Sequence, residues 1–261
     1  MTQDSYRERI PAGPLRSYVE CIWTRSAGAA GGGAGTVPHS VLPDGCIDIV
    51  FASGASPQLA AGRVVGTMRR PVQVAGVQNA SFVGVRFRPG AARLFLDFRA
   101  AELTDGDAAL AEFWGGEAAR LTAEVNARGP ERSAGVVEAA LLARLPQREP
   151  DARVRRAIAE VEASRGAIRV QDLAREAGIS RQHLAAGFRD WVGTSAKFFA
   201  RVVRFRSLLA SLRKTPHIPW VERALEFGYF DQAHLSADFA ELAGTTPSAY
   251  LRTVMAARAK P

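Results

Sequence analysis

The strongest constraint on how this chain folds is a duplication near its C-terminus. Residues 172–201 read DLAREAGISRQHLAAGFRDWVGTSAKFFAR, and residues 222–252 read ERALEFGYFDQAHLSADFAELAGTTPSAYLR. A shift of 51 positions superposes His183 on His234, Leu184 on Leu235, Phe188 on Phe239, Gly193 on Gly244, Thr194 on Thr245 and Arg201 on Arg252. Ahead of that stretch the shift is 50, pairing Ala174 with Ala224 and Gly178 with Gly228, so the second copy has one extra residue in its turn. Self-similarity of this kind marks a repeated supersecondary unit.

Each copy has the physical parts of a helix-turn-helix. A short amphipathic helix, Val170 to Ala177 or Trp220 to Phe227, runs into a glycine able to take the left-handed conformation that closes a helix C-terminus. Ser180 or Asp231 then caps a second helix by accepting a hydrogen bond from a free backbone N–H. Leu184 and Phe188 are spaced i, i+4, as are Leu235 and Phe239, so each pair faces inward. Left exposed near the start of that helix are Arg181 and Gln182 in one copy and Gln232, Ala233 and Ser236 in the other, the part of a recognition helix that enters a major groove. Between the copies, Ser195 to Leu212 has helical composition, with Phe198, Val202, Phe205 and Leu209 on one stripe and Lys197, Arg201, Arg204 and Arg213 elsewhere. Such a helix is roughly 27 Å long. A rigid spacer of that length suits two recognition helices lying in successive major grooves, about 34 Å apart on one face of B-DNA.

The charge is distributed to match. Residues 1–150 hold 16 Lys or Arg against 15 Asp or Glu, a net of +1, whereas residues 151–261 hold 18 against 11, a net of +7. Arginine that was merely abundant would be spread evenly; a basic module joined to a neutral one predicts a polyanion-binding part with a partner of different function. The 261 residues, 47% hydrophobic and 23% charged, fit two ordinary globular domains. No apolar run reaches the ~18 residues that cross a bilayer. The N-terminus, with Asp4, Arg7, Glu8 and Arg9, lacks the apolar core of a secretory signal, so a cytoplasmic location and no membrane partner are expected.

The first hundred residues read as short strands broken by turns. In VLPDGCIDIVF, Val41 to Phe51, the Pro43-Asp44-Gly45 turn precedes an alternation that turns Cys46, Asp48 and Val50 one way and Ile47, Ile49 and Phe51 the other. Arg63 to Met68, Val72 to Val77 and Phe82 to Phe87 repeat the style, which predicts a small barrel or sandwich. Gly28 to Gly35 reads as a flexible hairpin tip, since it lacks the Lys-Ser or Lys-Thr of a phosphate loop. From Gly90 the pattern turns helical over Ala91 to Phe98, Ala108 to Trp114, Glu117 to Asn126 and Val136 to Leu145; Pro146 to Pro150 is a linker, and the next helix begins at Asp151.

At these residues the chain resembles the AraC/XylS family. Its last ~100 residues carry the family pattern of a DNA-binding domain as Ala224, Gly228-Tyr229, Gln232, His234-Leu235, Phe239, Gly244, Thr246-Pro247 and Tyr250-Leu251-Arg252. The LPDGCIDIVF and GVRFRPGAA segments are similar to those preceding such a domain in a less characterised branch. The resemblance implies an α+β two-domain fold. Residues 1–148 would form a small β-barrel or cupin-like sheet with flanking helices, β-rich to about residue 90 and helical over 91–145, serving as a sensor or dimerisation domain. Residues 153–254 would form an all-α DNA-binding domain with helix-turn-helix units at 170–191 and 220–242 joined by a linker helix. Implied partners are double-stranded DNA at two adjacent major grooves, a small-molecule effector, RNA polymerase and a second copy of the chain; no cofactor is implied.

The DNA-contact set expected on this basis is Ser180, Arg181, Gln182, Ala185, Ala186, Arg189, Lys197 and Arg201 around the first unit, and Asp231, Gln232, Ala233, His234, Ser236 and Ala237 in the second. Family members often place Arg where Ala186 and Ala237 stand, and Asp238 adds a negative charge beside the second. Readout of guanine by an Arg fork is therefore reduced at those positions, and direct contact shifts to Gln182, Arg181 and Gln232, with alanine methyls on thymine and affinity leaning on phosphates.

Other polar residues have plainer readings. His183 and His234 lack a ligand partner at i+4 and are read as packing or phosphate-facing, so no metal site is argued. Arg86 and Arg88, alternating with Val85 and Phe87, could point into one ligand pocket near Asp44 and Asp48, or else face solvent or pair with carboxylates. Trp23, Trp114, Trp191 and Trp220 are read as core residues. Cys21 and Cys46 are read as reduced, half-buried strand residues. An alkyl-transfer DNA-repair protein is the enzymatic alternative, but neither cysteine has an activating His or Pro-Cys-His context, so the chain is read as no enzyme. The other alternative is an architectural DNA binder without a sensor.

Overall fold

A computed structural model describes residues 5–26, 39–54, 61–74, 80–147, 151–215 and 218–258. The Gly28 to Gly35 stretch lies outside these residues, as do positions 148–150 of the expected linker. The described N-terminal strands are β1 (Ser5–Arg9), β2 (Val19–Ser26), β3 (His39–Val41), β4 (Asp48–Ser53), β5 (Arg63–Val65), β6 (Val72–Val74), β7 (Ser81–Phe87) and β8 (Asp107–Ala109). Six of them form an antiparallel sheet in the order β1-β2-β7-β4-β5-β8, and β3 pairs with β6. The register sets Asp48 opposite Arg86 and Arg86 opposite Cys21.

The expected alternation along β4 decides what each face of the large sheet does. Ile47, Ile49 and Phe51 are buried in a core with Ile22, Val64, Val85 and Phe87. Helices α1 (Arg93–Leu96), α2 (Ala111–Trp114), α3 (Gly116–Asn126) and α4 (Pro130–Leu142) cover that face, sending in Phe95, Trp114, Leu121, Val125, Val137 and Leu141. Cys46, Asp48 and Val50 face the other way and line a cavity. Two helical expectations are corrected here. Asp107–Ala109 is a strand, because the edge of β5 offers backbone partners from Arg63 to Val65 that override local helical preference. Ala91 to Phe98 shortens to α1, which Asp97 ends in a left-handed conformation at φ 47°.

The remaining helices are α5 (Ala152–Ala163), α6 (Val170–Glu176), α7 (Arg181–Trp191), α8 (Ala196–Lys214), α9 (Trp220–Glu226), α10 (Gln232–Ala243) and α11 (Pro247–Arg258). They build two cores that share α8. Its beginning, Ala196, Phe199 and Ala200, packs with Val154, Val161, Leu173, Leu184 and Phe188. Its continuation, Val202, Phe205, Leu208 and Leu212, packs with Ala224, Leu235, Phe239 and Leu242. Aromatic contacts join the spacer to each repeat: Phe188 to Phe199 at 5.9 Å and Phe205 to Phe239 at 5.2 Å between centroids. Phe199 lies off the single stripe read from the sequence, because α8 is contacted on more than one side.

Candidate nucleic-acid interface

In each repeat the turn is shaped by local chemistry. Gly178 and Gly228 adopt φ of +67° and +71°, the left-handed closure of α6 and α9. The Ser180 hydroxyl accepts from the His183 N–H at 3.1 Å, and Asp231 Oδ1 accepts from the His234 N–H at 2.7 Å. Leu184, Phe188, Leu235 and Phe239 are buried. The start of each second helix is consequently turned out: Ser180, Arg181, Gln182, Ala186 and Arg189 are exposed around α7, and Asp231, Gln232, Ala233, His234 and Ala237 around α10. Ala185 and Ser236 are half-buried, and Lys197 at the start of α8 is exposed.

Arg201 departs from the expected contact set. Its Nη2 lies 2.7 Å from Asp238 Oδ1 and 2.5 Å from Glu241 Oε2, tying α8 to α10. Asp238 is only 3% exposed, so its charge points inward and is neutralised there instead of lying beside Ala237 on the outer face. A guanidinium held by two carboxylates ties the second repeat to the spacer helix. His234 is likewise engaged, its Nδ1 accepting from the Phe230 N–H at 3.3 Å, while His183 Nε2 lies 3.1 Å from Asp151.

Two arginines outside the expected contact set complete the frame. Arg204 donates to the Gly228 carbonyl at 3.1 Å and its guanidinium lies over the Tyr229 ring. Arg223, fully buried, donates to Ser211 Oγ at 2.6 Å and to the Thr215 carbonyl, holding α9 against the end of α8. Nothing near them in sequence marks these roles, since the partners become neighbours only when the helices pack.

The N-terminal region grips the opposite end of α7. Thr67 donates to the Val192 carbonyl and Thr104 to the Gly193 carbonyl, each at 2.6 Å, satisfying backbone acceptors that a helix end leaves open. Arg99 pairs with Asp190 at 2.9 Å, and Arg93 stacks over Trp191. A second junction lies at α8, where Arg206 reaches Glu20 at 3.0 Å and donates to the Asp44 carbonyl at 3.2 Å.

The expected pocket residues divide. Asp44, Asp48 and Arg86 line a cavity of about 700 Å³, whereas Arg88 follows the end of β7 and donates to the Arg16 carbonyl at 2.8 Å. Trp23 belongs to the cavity wall and not to the core; its indole N–H donates to Asp48 Oδ2 at 3.0 Å. Both cysteines are buried more deeply than half. Burial pushes the Cys21 thiol up to about 12, and burial with Asp44 and Glu20 nearby pushes Cys46 well above its ordinary range, so neither is an activated thiolate. Among the described residues no helix is long and apolar enough to cross a membrane.

Residues 173–253 match the family model of a helix-turn-helix domain, and residues 7–109 match a domain of unknown function (DUF6597). The curated proteins contain no match. Among solved structures, the chain is similar to the C-terminal domain of AraT, a response regulator from Geobacillus stearothermophilus, at 24% identity over 41% of this chain and 88% of that one, TM-score 0.37. It is also similar to ToxT from Vibrio cholerae at 12% identity over 95% of this chain and 98% of that one, TM-score 0.46. Wild-type ToxT with bound unsaturated fatty acid gives 10% identity, coverage of 96% and 97%, and TM-score 0.45. A capped, outward-facing helix start at either end of one rod is what a reader of two DNA segments needs, and residues 173–253, which match the helix-turn-helix model, contain both of those starts.

Proposed function

We propose that the chain is a one-component, sequence-specific regulator whose α7 and α10 enter adjacent major grooves of double-stranded DNA, and whose N-terminal cavity takes a small-molecule effector. Arg181, Gln182 and Gln232 carry base contact; Arg189 and Lys197 carry phosphate contact, with Ser180, Ala185, Ala186, Ala233, Ser236 and Ala237 close to the groove. Residues 1–148 act as the sensing part and 153–254 as the DNA-binding part. The family resemblance adds a homodimer, contact with RNA polymerase and a cytoplasmic location.

One observation supports the coupling between cavity and DNA. The turn Asp44-Gly45-Cys46 lines the cavity on one side, while on the other its Asp44 carbonyl accepts from Arg206 and Gly45 lies against Phe199 and Val202 of α8. A ligand that moves this turn therefore moves the rod joining the two reading helices, provided it binds the two states of that junction unequally. The test is anisotropy titration of upstream DNA across a salt series. Affinity should fall steeply with salt, Lys197→Ala should reduce the slope by about one, and Arg181→Ala or Gln182→Ala should cost about 1–3 kcal/mol on the specific site alone. Salt-insensitive binding, or equal losses on random DNA for Arg181→Ala and Gln182→Ala, would count against the reading.

A further inference from the structure

The cavity carries more information than its size. Its apolar wall is built from both sheets, by Val41 and Val72 of the β3–β6 pair and by Val50, Val65 and Phe82 of the large sheet, with Met68 between. A volume of about 700 Å³ suits a drug-sized organic molecule. At one end this wall gives way to Asp44, Asp48, Arg86, Tyr6 and Trp23. Trp23 lies directly over Gly84, where a Cβ would come within 2.1 Å of the indole, so the missing side chain is what lets the ring lie against the sheet. The Trp23 and Tyr6 rings are 6.1 Å apart and inclined by 33°.

The charges at that end do not balance. Arg86 Nε is 3.0 Å from Asp44 Oδ2 and 3.5 Å from Asp48 Oδ1, and Nη1 is 3.7 Å from Glu8 Oε1. Three carboxylates converge on a single guanidinium. An anionic ligand would find its natural anchor already occupied by acids and would add a further like charge. A cation would neutralise the surplus and could lie over an aromatic face. Burial pushes the Asp48 carboxyl up to about 7, with Arg86 opposing the shift and Asp44 adding to it. The other lining arginine, Arg25, sits along β2 opposite Phe82, at a distance of two strand positions from Trp23.

We propose that this cavity is a binding site for a hydrophobic organic cation, its amine or quaternary onium centre seated beside Asp48 at the Trp23 ring and its apolar body lying along Val41, Val50, Val65, Met68, Val72 and Phe82. The assignment rests on the reading of the cavity as the effector site and names the chemical class that site selects. Asp44 then serves two functions, as part of the cation subsite through its carboxylate and as the acceptor of Arg206 through its carbonyl.

The test uses the full chain and two ions of nearly identical shape and opposite charge, tetraphenylphosphonium and tetraphenylborate, titrated calorimetrically. Wild-type protein should bind the phosphonium at least about tenfold tighter than the borate, roughly the worth of one partly desolvated cation–π contact. Asp48→Asn, which keeps an acceptor for the Trp23 N–H, should lower phosphonium affinity by about tenfold, with a single cooperative unfolding transition as the control that it folds. Equal or tighter borate binding, binding of neither ion, or an Asp48→Asn protein that binds the phosphonium as well as wild type overturns the proposal; the wild-type comparison alone suffices if the variant folds poorly. Measuring affinity for upstream DNA in the same samples separates the two readings. Tighter borate binding that alters DNA affinity removes the cation but keeps the sensor, whereas phosphonium binding that leaves DNA affinity unchanged keeps the cation site and removes the sensor.

Discussion

Gly45→Ala probes the junction between cavity and spacer helix with a magnitude that can be built up from two parts. Gly45 has φ +78°, and a Cβ there would lie 2.8 Å from Phe199 Cε2 and 3.0 Å from Cδ2. The left-handed backbone costs an alanine roughly 1–2 kcal/mol. Phe199 is fully buried between α8 and the first repeat, so its ring has little room to withdraw, and overpacking adds about 1–3 kcal/mol. The expected loss is therefore about 2–5 kcal/mol, read as a lower urea midpoint for the full chain by tryptophan fluorescence. A double-mutant cycle separates the parts. Phe199→Leu shortens the obstructing side chain, so in its background Gly45→Ala should lose the clash but retain the backbone cost, giving a coupling energy of about 1–3 kcal/mol. Additivity within about 0.5 kcal/mol would show that Gly45 and Phe199 do not press on each other and would remove the physical link between cavity and rod.

Three further outcomes follow from the same structure. Ser180→Ala and Asp231→Ala should each lower stability by about 1 kcal/mol in thermal denaturation, additively, because each removes one N-cap bond in a separate core. Asp238→Ala should cost about 2 kcal/mol in urea unfolding, less than a fully buried pair because Arg201 keeps Glu241, and should not strengthen DNA binding, since the lost charge faced inward. Asp48 is raised in the folded chain from 3.8 to about 7, so its favourable contribution is complete below the lower value and lost as pH rises through the upper one. Asp48→Asn should thus flatten the fall in stability across that window, and a variant with the wild-type slope would show that another group titrates there.

What could be read from residues alone is what residues decide within about ten positions of each other. The glycine turns at Gly178 and Gly228, the caps at Ser180 and Asp231 and the inward pairs Leu184–Phe188 and Leu235–Phe239 rest on one helix's period and one turn's stereochemistry, and the duplication made each copy a check on the other. The alternation that gave Asp48 and Ile49 to opposite faces of β4 is equally local.

The destinations of the long cationic side chains were not legible in this way. Arginine reaches far, and the same residue suits phosphate, carboxylate or a helix end; which partner it meets depends on elements brought together from distant sequence. Arg201 turned to Asp238 and Glu241, Arg88 to the Arg16 carbonyl, and Arg206 to Glu20, 186 positions away. Asp107–Ala109 became a strand for the same reason, because unpaired backbone on the edge of β5 is a tertiary fact. The reading helices are thus a property of local sequence, while their anchoring to each other and to the cavity arises only in the packed chain, where pairing buried charges and backbone groups outweighs local preference.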